Sequence, residues 1–307
     1  MSLTDNDAER LTELSTEAAD PRFAEIDRMP VADLAAMMNE VDASVPAAVA
    51  RELPRITAAI EAATARMKSG GRLVYVGAGT PGRIGVLDAS ECPPTFSTPP
   101  EQVFAIIAGG PGAVVSPIEG AEDDPQAGAS AIDDAAIGPL DTVIGIASSG
   151  RTPYVVAAVR RARERGALTV GLSCNPDTLL SAAAEYGIEV LVGPELISGS
   201  TRLKAGTAQK LVLNMFSTII MVQLGKTYGN LMVDVKATNV KLRERAIRIV
   251  RSITNTDREG ALTALRSAGF NVKRAVLALR LGLSDADARA ALDEADGSLR
   301  AALEEQR

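Results

Sequence analysis

The chain has 307 residues, 46% apolar and 23% charged, enough for a sizeable buried core and an appendage. A net charge of -7 with only 3% aromatics argues against the basic, aromatic-studded surface that nucleic acid binding requires. Histidine is absent, which removes Ser-His-Asp and Cys-His pairs, His-ligated zinc and imidazole acid-base catalysis together. Proton transfer is left to carboxylate, Lys, Tyr or Cys.

Residues 1–30 are polar, charged from the start and without the apolar run of a secretory signal, and are read as irregular. Leu34, Met37, Met38 and Val41, then Val49, Leu53, Ile56 and Ile60, predict two amphipathic helices over 31–69, stopped by Gly70 and Gly71. Five short apolar runs follow: 73–76, 103–107, 143–146, 168–172 and 190–192. Runs of this kind, separated by helical segments, predict a parallel sheet wrapped by helices. The clearest connector is Tyr154 to Arg165, with Thr152 as cap, Pro153 in the first turn and Gly166 as stop. Leu211 to Leu224 is interrupted by polar residues and too short for a membrane span, so it reads as a buried core helix. After residue 250 short helices are expected, with Thr256-Asp-Arg-Glu259 and Ser284-Asp-Ala-Asp287 as capping boxes or near relatives, and Gly269 and Gly282 as stops. Cys92 and Cys174 have no metal-ligand spacing and are read as small core residues.

Two strands end alike. The first runs into Gly77-Ala-Gly79-Thr80-Pro81-Gly82 and the third into Ala147-Ser148-Ser149-Gly150-Arg151-Thr152-Pro153, each opening a helix. Strand carboxyl ends and helix N-termini in a parallel sheet suit an anion, so a phosphorylated small molecule is the expected guest. Gly77, Gly79 and Gly82 also fit a dinucleotide fingerprint, but the second strand ends in Ala108-Gly109-Gly110 rather than the acidic residue that reading needs. Tight turning explains Gly77 and Gly82; it leaves the hydroxyls of Ser148, Ser149 and Thr152 unexplained. A third polar cluster, Ser198 to Lys210, holds Ser200, Lys204 and Lys210 ahead of the core helix. Its chemistry suits a solvated cap and a phosphate contact equally.

Two carboxylate-bearing loops are expected on either side of the second strand, one holding Asp88 and Glu91, the other Glu119 and Glu122. With no histidine, Glu91 and Glu122 lead as acid and base, although their chemistry alone does not separate them from Asp88 and Glu119.

The segments GAGTPGRIGVLDASECPPTF, IAGG with EGAEDD, IASSGRTPYV, GLSCNP, SGSTRLKAGTAQKLVLNMFST and GNLMVDVKATNVKL closely resemble the bacterial N-acetylmuramic acid 6-phosphate etherases. The resemblance runs from about residue 24 to the C-terminal helices. It implies a SIS-type three-layer αβα sandwich with a central parallel sheet, over 1–250, and a small helical, UBA-like C-terminal domain over 251–307. It also implies a cytoplasmic homodimer that needs no metal or cofactor and binds neither nucleic acid nor membrane. The reaction implied is cleavage of the D-lactyl ether of the 6-phosphorylated sugar, by elimination and then hydration, in cell-wall sugar recycling. By matching motifs, Glu91 is the acid on the departing lactyl oxygen and Glu122 the base at C2, with Glu119 as competitor. Gly79, Thr80, Ser148, Ser149, Gly150, Thr152, Ser200 and Lys204 are the expected substrate and phosphate contacts. One departure is Pro81, where the family usually has serine; the turn survives, the hydroxyl does not. A sugar-phosphate sensor built on the same domain and a sugar-phosphate isomerase are the rival readings. Retention of both glutamates favours an enzyme, and lactate release separates etherase from isomerase.

Overall fold

The computed structural model describes residues 14–305; the reading made for the first thirteen residues lies outside them. The chain divides into two compact units, one of residues 1–89 and 101–216, the other of 90–100 and 217–307.

The first unit holds α1 (Val31–Asp42), α2 (Val45–Arg51) and α3 (Leu53–Lys68), three helices where two are expected. Proline is the reason: Pro46 and Pro54 lack the amide an interior turn needs but suit a first turn, so each opens a new helix. Five parallel strands follow, β1 (Leu73–Gly77), β2 (Val103–Ile107), β3 (Thr142–Ile146), β4 (Leu168–Ser173) and β5 (Tyr186–Glu189), in the order β2-β1-β3-β4-β5. Every residue of β1, β3 and β4 is buried, which only helices on both faces allow. The last strand is four residues earlier than the apolar run 190–192. As an edge strand it is only part-buried, so it lacks the continuous apolar signature.

Side chains alternate across the sheet. Val74, Val76 and Val143 join a core with Ile132 of α5 (Pro125–Asp134) and Val155, Ala158 and Val159 of α6 (Pro153–Glu164). Tyr75 and Ile146 are met from the other side by Gly85 of α4 (Gly79–Phe96), where an added Cβ would lie 2.9 Å from Tyr75 Cβ. The expected three-layer αβα sandwich is the fold observed. At the amino ends of β1 and β3, Asp141 accepts from Arg72 Nε at 2.9 Å, from Arg72 N at 3.0 Å and from Gly138 N at 2.9 Å. Burial alone would raise the Asp141 pKa, but these bonds and the guanidinium outweigh it and hold the carboxyl below its usual range.

After α7 (Leu179–Ala183) the chain reaches α8 (Lys204–Gln223), the expected core helix. By length and composition it could cross a membrane, yet 56% of its apolar window is buried within the protein itself. The second unit contains α9 (Val240–Thr254), α10 (Arg258–Ser267), α11 (Val272–Leu281), α12 (Asp285–Glu294) and α13 (Leu299–Glu305) around Ile247, Val250, Leu265, Val276 and Leu299. Ser284 caps α12 as expected, accepting from Asp287 N at 3.2 Å. Asp257, one residue beyond the expected Thr256, caps α10 through Gly260 N at 2.8 Å. Both cysteines are buried, and desolvation pushes the Cys174 thiol up to about 12, leaving it protonated and inert.

Candidate functional site

The strand order reverses at β1 and β3: β2 lies to one side of β1, while β3 and the later strands lie to the other. A crevice opens at such a switch, outside the carboxyl ends of the two strands. Gly77 of β1 pairs with Ile146 of β3, so the turn at Ala78 and the loop 147–152 leave the sheet side by side; the expected loop through Gly82 is shorter than the sequence suggests, because α4 already begins at Gly79. Gly77 and Gly82 have a packing reason to be glycine, since a Cβ on Gly77 would come within 2.6 Å of Gly82 N. Gly79 differs: it has φ +56° and open space around it.

The second loop is tightly held. Ser148 is buried, and its carbonyl accepts from Cys174 N and from Asn175 Nδ2, both at 3.0 Å. Its hydroxyl accepts from Gln209 Nε2 of α8 at 2.9 Å. Ser149 Oγ accepts from Arg151 N at 3.2 Å, a turn that closes the loop on itself. Gly150 has φ +66°, and a Cβ there would meet Thr178 Cβ at 2.4 Å. Thr152 occupies the position before α6, but its hydroxyl makes no capping bond. That corrects the expected cap and leaves the hydroxyl for another acceptor. Gln209 and Asn175 escaped the sequence reading, because each meets Ser148 across a long stretch of chain.

The start of α8 reaches the first turns of α4: a Cβ on Gly206 would lie 3.7 Å from Thr80 Cγ2 and 3.5 Å from Ile84 Cδ1. Glu195 caps this helix, accepting from Lys204 N at 3.0 Å and from Ala205 N at 2.9 Å. Burial raises the Glu195 pKa, against the pull of the two amides and the Lys204 ammonium. Burial likewise lowers the Lys204 pKa, with Glu195 opposing. Lys204 Nζ points inward and donates to Val192 O at 2.6 Å. Ser200, half-buried, and exposed Lys210 stand at the same entrance.

The carboxylates resolve into different jobs. The expected loop at 88–95 is helix instead: α4 runs through Pro93 and Pro94 and ends at Phe96. Two missing amide donors are tolerated there because the helix ends within the next turn, closed by Ser97 N on Pro93 O at 3.0 Å. Asp88 is buried, accepting from Tyr75 Oη at 2.6 Å and Asn214 Nδ2 at 2.5 Å. It is thus a structural carboxylate of the sandwich core. Glu91, one turn on, is exposed and belongs to the second unit. Glu122 is exposed on the turn Ala121–Asp123 of the first unit, and Glu119 is exposed just before it. Asp124 caps α5 through Ala127 N at 2.9 Å. Among the described residues no group of three or more Cys, Asp or Glu is placed to hold a metal ion.

A family model described as the glucokinase regulatory protein N-terminal SIS domain matches residues 55–163, and one described as the SIS domain matches 125–219. The N-acetylmuramic acid 6-phosphate etherase of Streptomyces avermitilis is 58% identical over 293 residues, covering 95% of this chain and 94% of that protein. The protein of the same name from Rubrobacter xylanophilus is 58% identical over 299 residues, covering 97% and 99%. Among solved structures, a phosphoheptose isomerase from Francisella tularensis aligns with a TM-score of 0.51 at 20% identity, over 63% of this chain and 100% of that one. The last likeness is one of fold.

Proposed function

The chain belongs to the N-acetylmuramic acid 6-phosphate etherase family, and from that premise we propose that Glu91 and Glu122 are the acid and base of its ether cleavage. The activity itself is that of a carbon-oxygen lyase acting on the D-lactyl ether of N-acetylmuramic acid 6-phosphate. In the proposed route the sugar opens to its aldehyde, which acidifies the C2 proton. Glu122 removes that proton, the C2–C3 double bond forms, and the C3–O bond breaks as Glu91 protonates the departing lactate. Water then adds at C3 and a proton returns to C2, giving N-acetylglucosamine 6-phosphate. Positioned carboxyl groups carry such transfers, and the chain has no histidine to do so.

The observation that supports phosphate binding best is the 147–152 loop, held at the strand switch with Thr152 Oγ1 uncommitted to a cap. In this reading Ser148, Ser149, Gly150 and Thr152 hold the 6-phosphate, helped by Gly79, Thr80 and Ser200. Lys204 acts through its charge from beneath, since its ammonium is already bonded to Val192 O. The working form is a cytoplasmic homodimer in peptidoglycan recycling, with no metal or cofactor.

Incubation with N-acetylmuramic acid 6-phosphate and an assay for D-lactate tests the reading. Glu91→Gln and Glu122→Gln are each expected to lose about two to four orders of magnitude in turnover. In deuterated water Glu91→Gln should still exchange the C2 proton, whereas Glu122→Gln should not. Lactate release at the parent rate from either variant removes that carboxylate from the mechanism. Retained C2 exchange in Glu122→Gln passes the base role to Glu119.

A further inference from the structure

We propose that Gln209 is a positioning residue for substrate binding, one that fixes the direction in which Ser148 donates its hydroxyl proton. The inference rests on the reading that the 147–152 loop holds the phosphate. Gln209 lies in the second turn of α8 and is 0% exposed. Its Nε2 donates to Ser148 Oγ at 2.9 Å. A serine hydroxyl has one proton, and accepting a bond from one side turns that proton to the other. The serine's own carbonyl offers no alternative, because Cys174 N and Asn175 Nδ2 already fill it at 3.0 Å each. Ser148 is therefore presented as a donor, which a phosphate dianion, an acceptor only, requires.

The other end of the same amide is the second observation. Gln209 Oε1 is buried and has no hydrogen-bond partner. Buried polar atoms are nearly always paired. A glutamine that merely knits a core would have both ends satisfied, whereas this one is satisfied only where it meets Ser148. The open end suits a donor on the bound molecule, a sugar hydroxyl or amide N–H.

Gln209→Glu tests this, because it keeps the shape and reverses the sense of the bond. Ionised, the new carboxylate can only accept, so it draws the Ser148 proton inward and turns lone pairs toward the phosphate. The KM for N-acetylmuramic acid 6-phosphate is expected to rise about 10- to 100-fold at pH 8, with kcat within about threefold of the parent. Lowering the pH protonates the carboxyl and restores a donor, so the KM ratio to the parent, measured at each pH, should shrink. In a Ser148→Ala background the part of the Q209E effect carried by the serine is lost, so Q209E should raise KM by a clearly smaller factor there than in the parent, and an equal factor in both backgrounds overturns the proposal. If Ser148→Ala raises KM and Q209E does not, the inference falls and the phosphate loop stands. If Ser148→Ala leaves KM unchanged, the loop reading falls and takes the inference with it. A pH-independent defect, or one confined to kcat, also overturns the role assigned to Gln209. Should Q209E fail to fold by thermal melt, Gln209→Met carries the test: its KM should rise by a similar factor, and an unchanged KM refutes the proposal.

Discussion

Asp141 shows what a single well-placed carboxylate does for the sheet. Its pKa is held below the ordinary range, so the stability it adds is present above about pH 4 and is lost as the pH falls through the lowered value. Asp141→Asn leaves Arg72 without its charge partner and should cost about 3 kcal/mol at pH 7. The gap to the parent should narrow in urea unfolding at pH 3.5, and a constant gap would contradict the ion-pair account. Gly150→Ala combines a left-handed φ of +66° with a 2.4 Å clash on Thr178. It should cost about 2 to 5 kcal/mol and, if the 147–152 loop holds the phosphate as proposed, raise KM as well. A variant as stable as its parent would show that the loop yields freely. At this scale the sequence exposed the residues whose meaning is local: the turn glycines, the hydroxyl cluster, the proline after Thr152. It concealed Gln209, Asn175 and Glu195, since each works on a partner that only folding brings near, and no spacing rule links Ser148 to a helix some sixty residues on.

Elements were legible where one physical rule dominates. Strands buried on both faces announce themselves as apolar runs, and β1, β3 and β4 lie where those runs lie; β2, an edge strand, is apolar enough to show as well. The other edge strand, β5, is Tyr-Gly-Ile-Glu, with a single buried residue, so its sequence carries no apolar run and the nearby run at 190–192 draws the expectation away from it. Proline acts differently at two places: it divides the region 31–69 into three helices, yet Pro93 and Pro94 sit inside the last turns of α4, which runs on to Phe96. Glycine marks the closest packing of two elements. Gly128 of α5 lies against α6 so closely that a Cβ would sit 2.1 Å from Tyr154 O. Gly128→Ala must therefore push α5 outward and should lower stability by about 1 to 3 kcal/mol. A thermal midpoint unchanged by the substitution would mean that the two helices can slide.

For the whole molecule, the fold class was readable because short apolar runs alternate with helical segments along 73–172, whereas the grouping of residues 90–100 with 217–307 leaves no mark in composition. Glu91 and Glu122 are proposed to act in one reaction, as acid and base. Double substitution of both by Gln should therefore be no worse than the worse single variant if they serve one reaction cycle, as groups acting together are non-additive. Fully multiplicative losses in lactate release would separate them. Light scattering of the purified chain should give twice the mass of one copy; a monomer with full activity would refute the homodimer.

The carboxylate that caps α8 has one last consequence. Glu195 already occupies the positive pole of that helix, its two carboxylate oxygens taking the amides at 204 and 205. Sulfate or phosphate diffused into a crystal should thus collect beside Thr152 and shun the amides at 204–205. Truncating Glu195 to Ala would open a second berth, and with it a protein that confuses its cargo with its own cap.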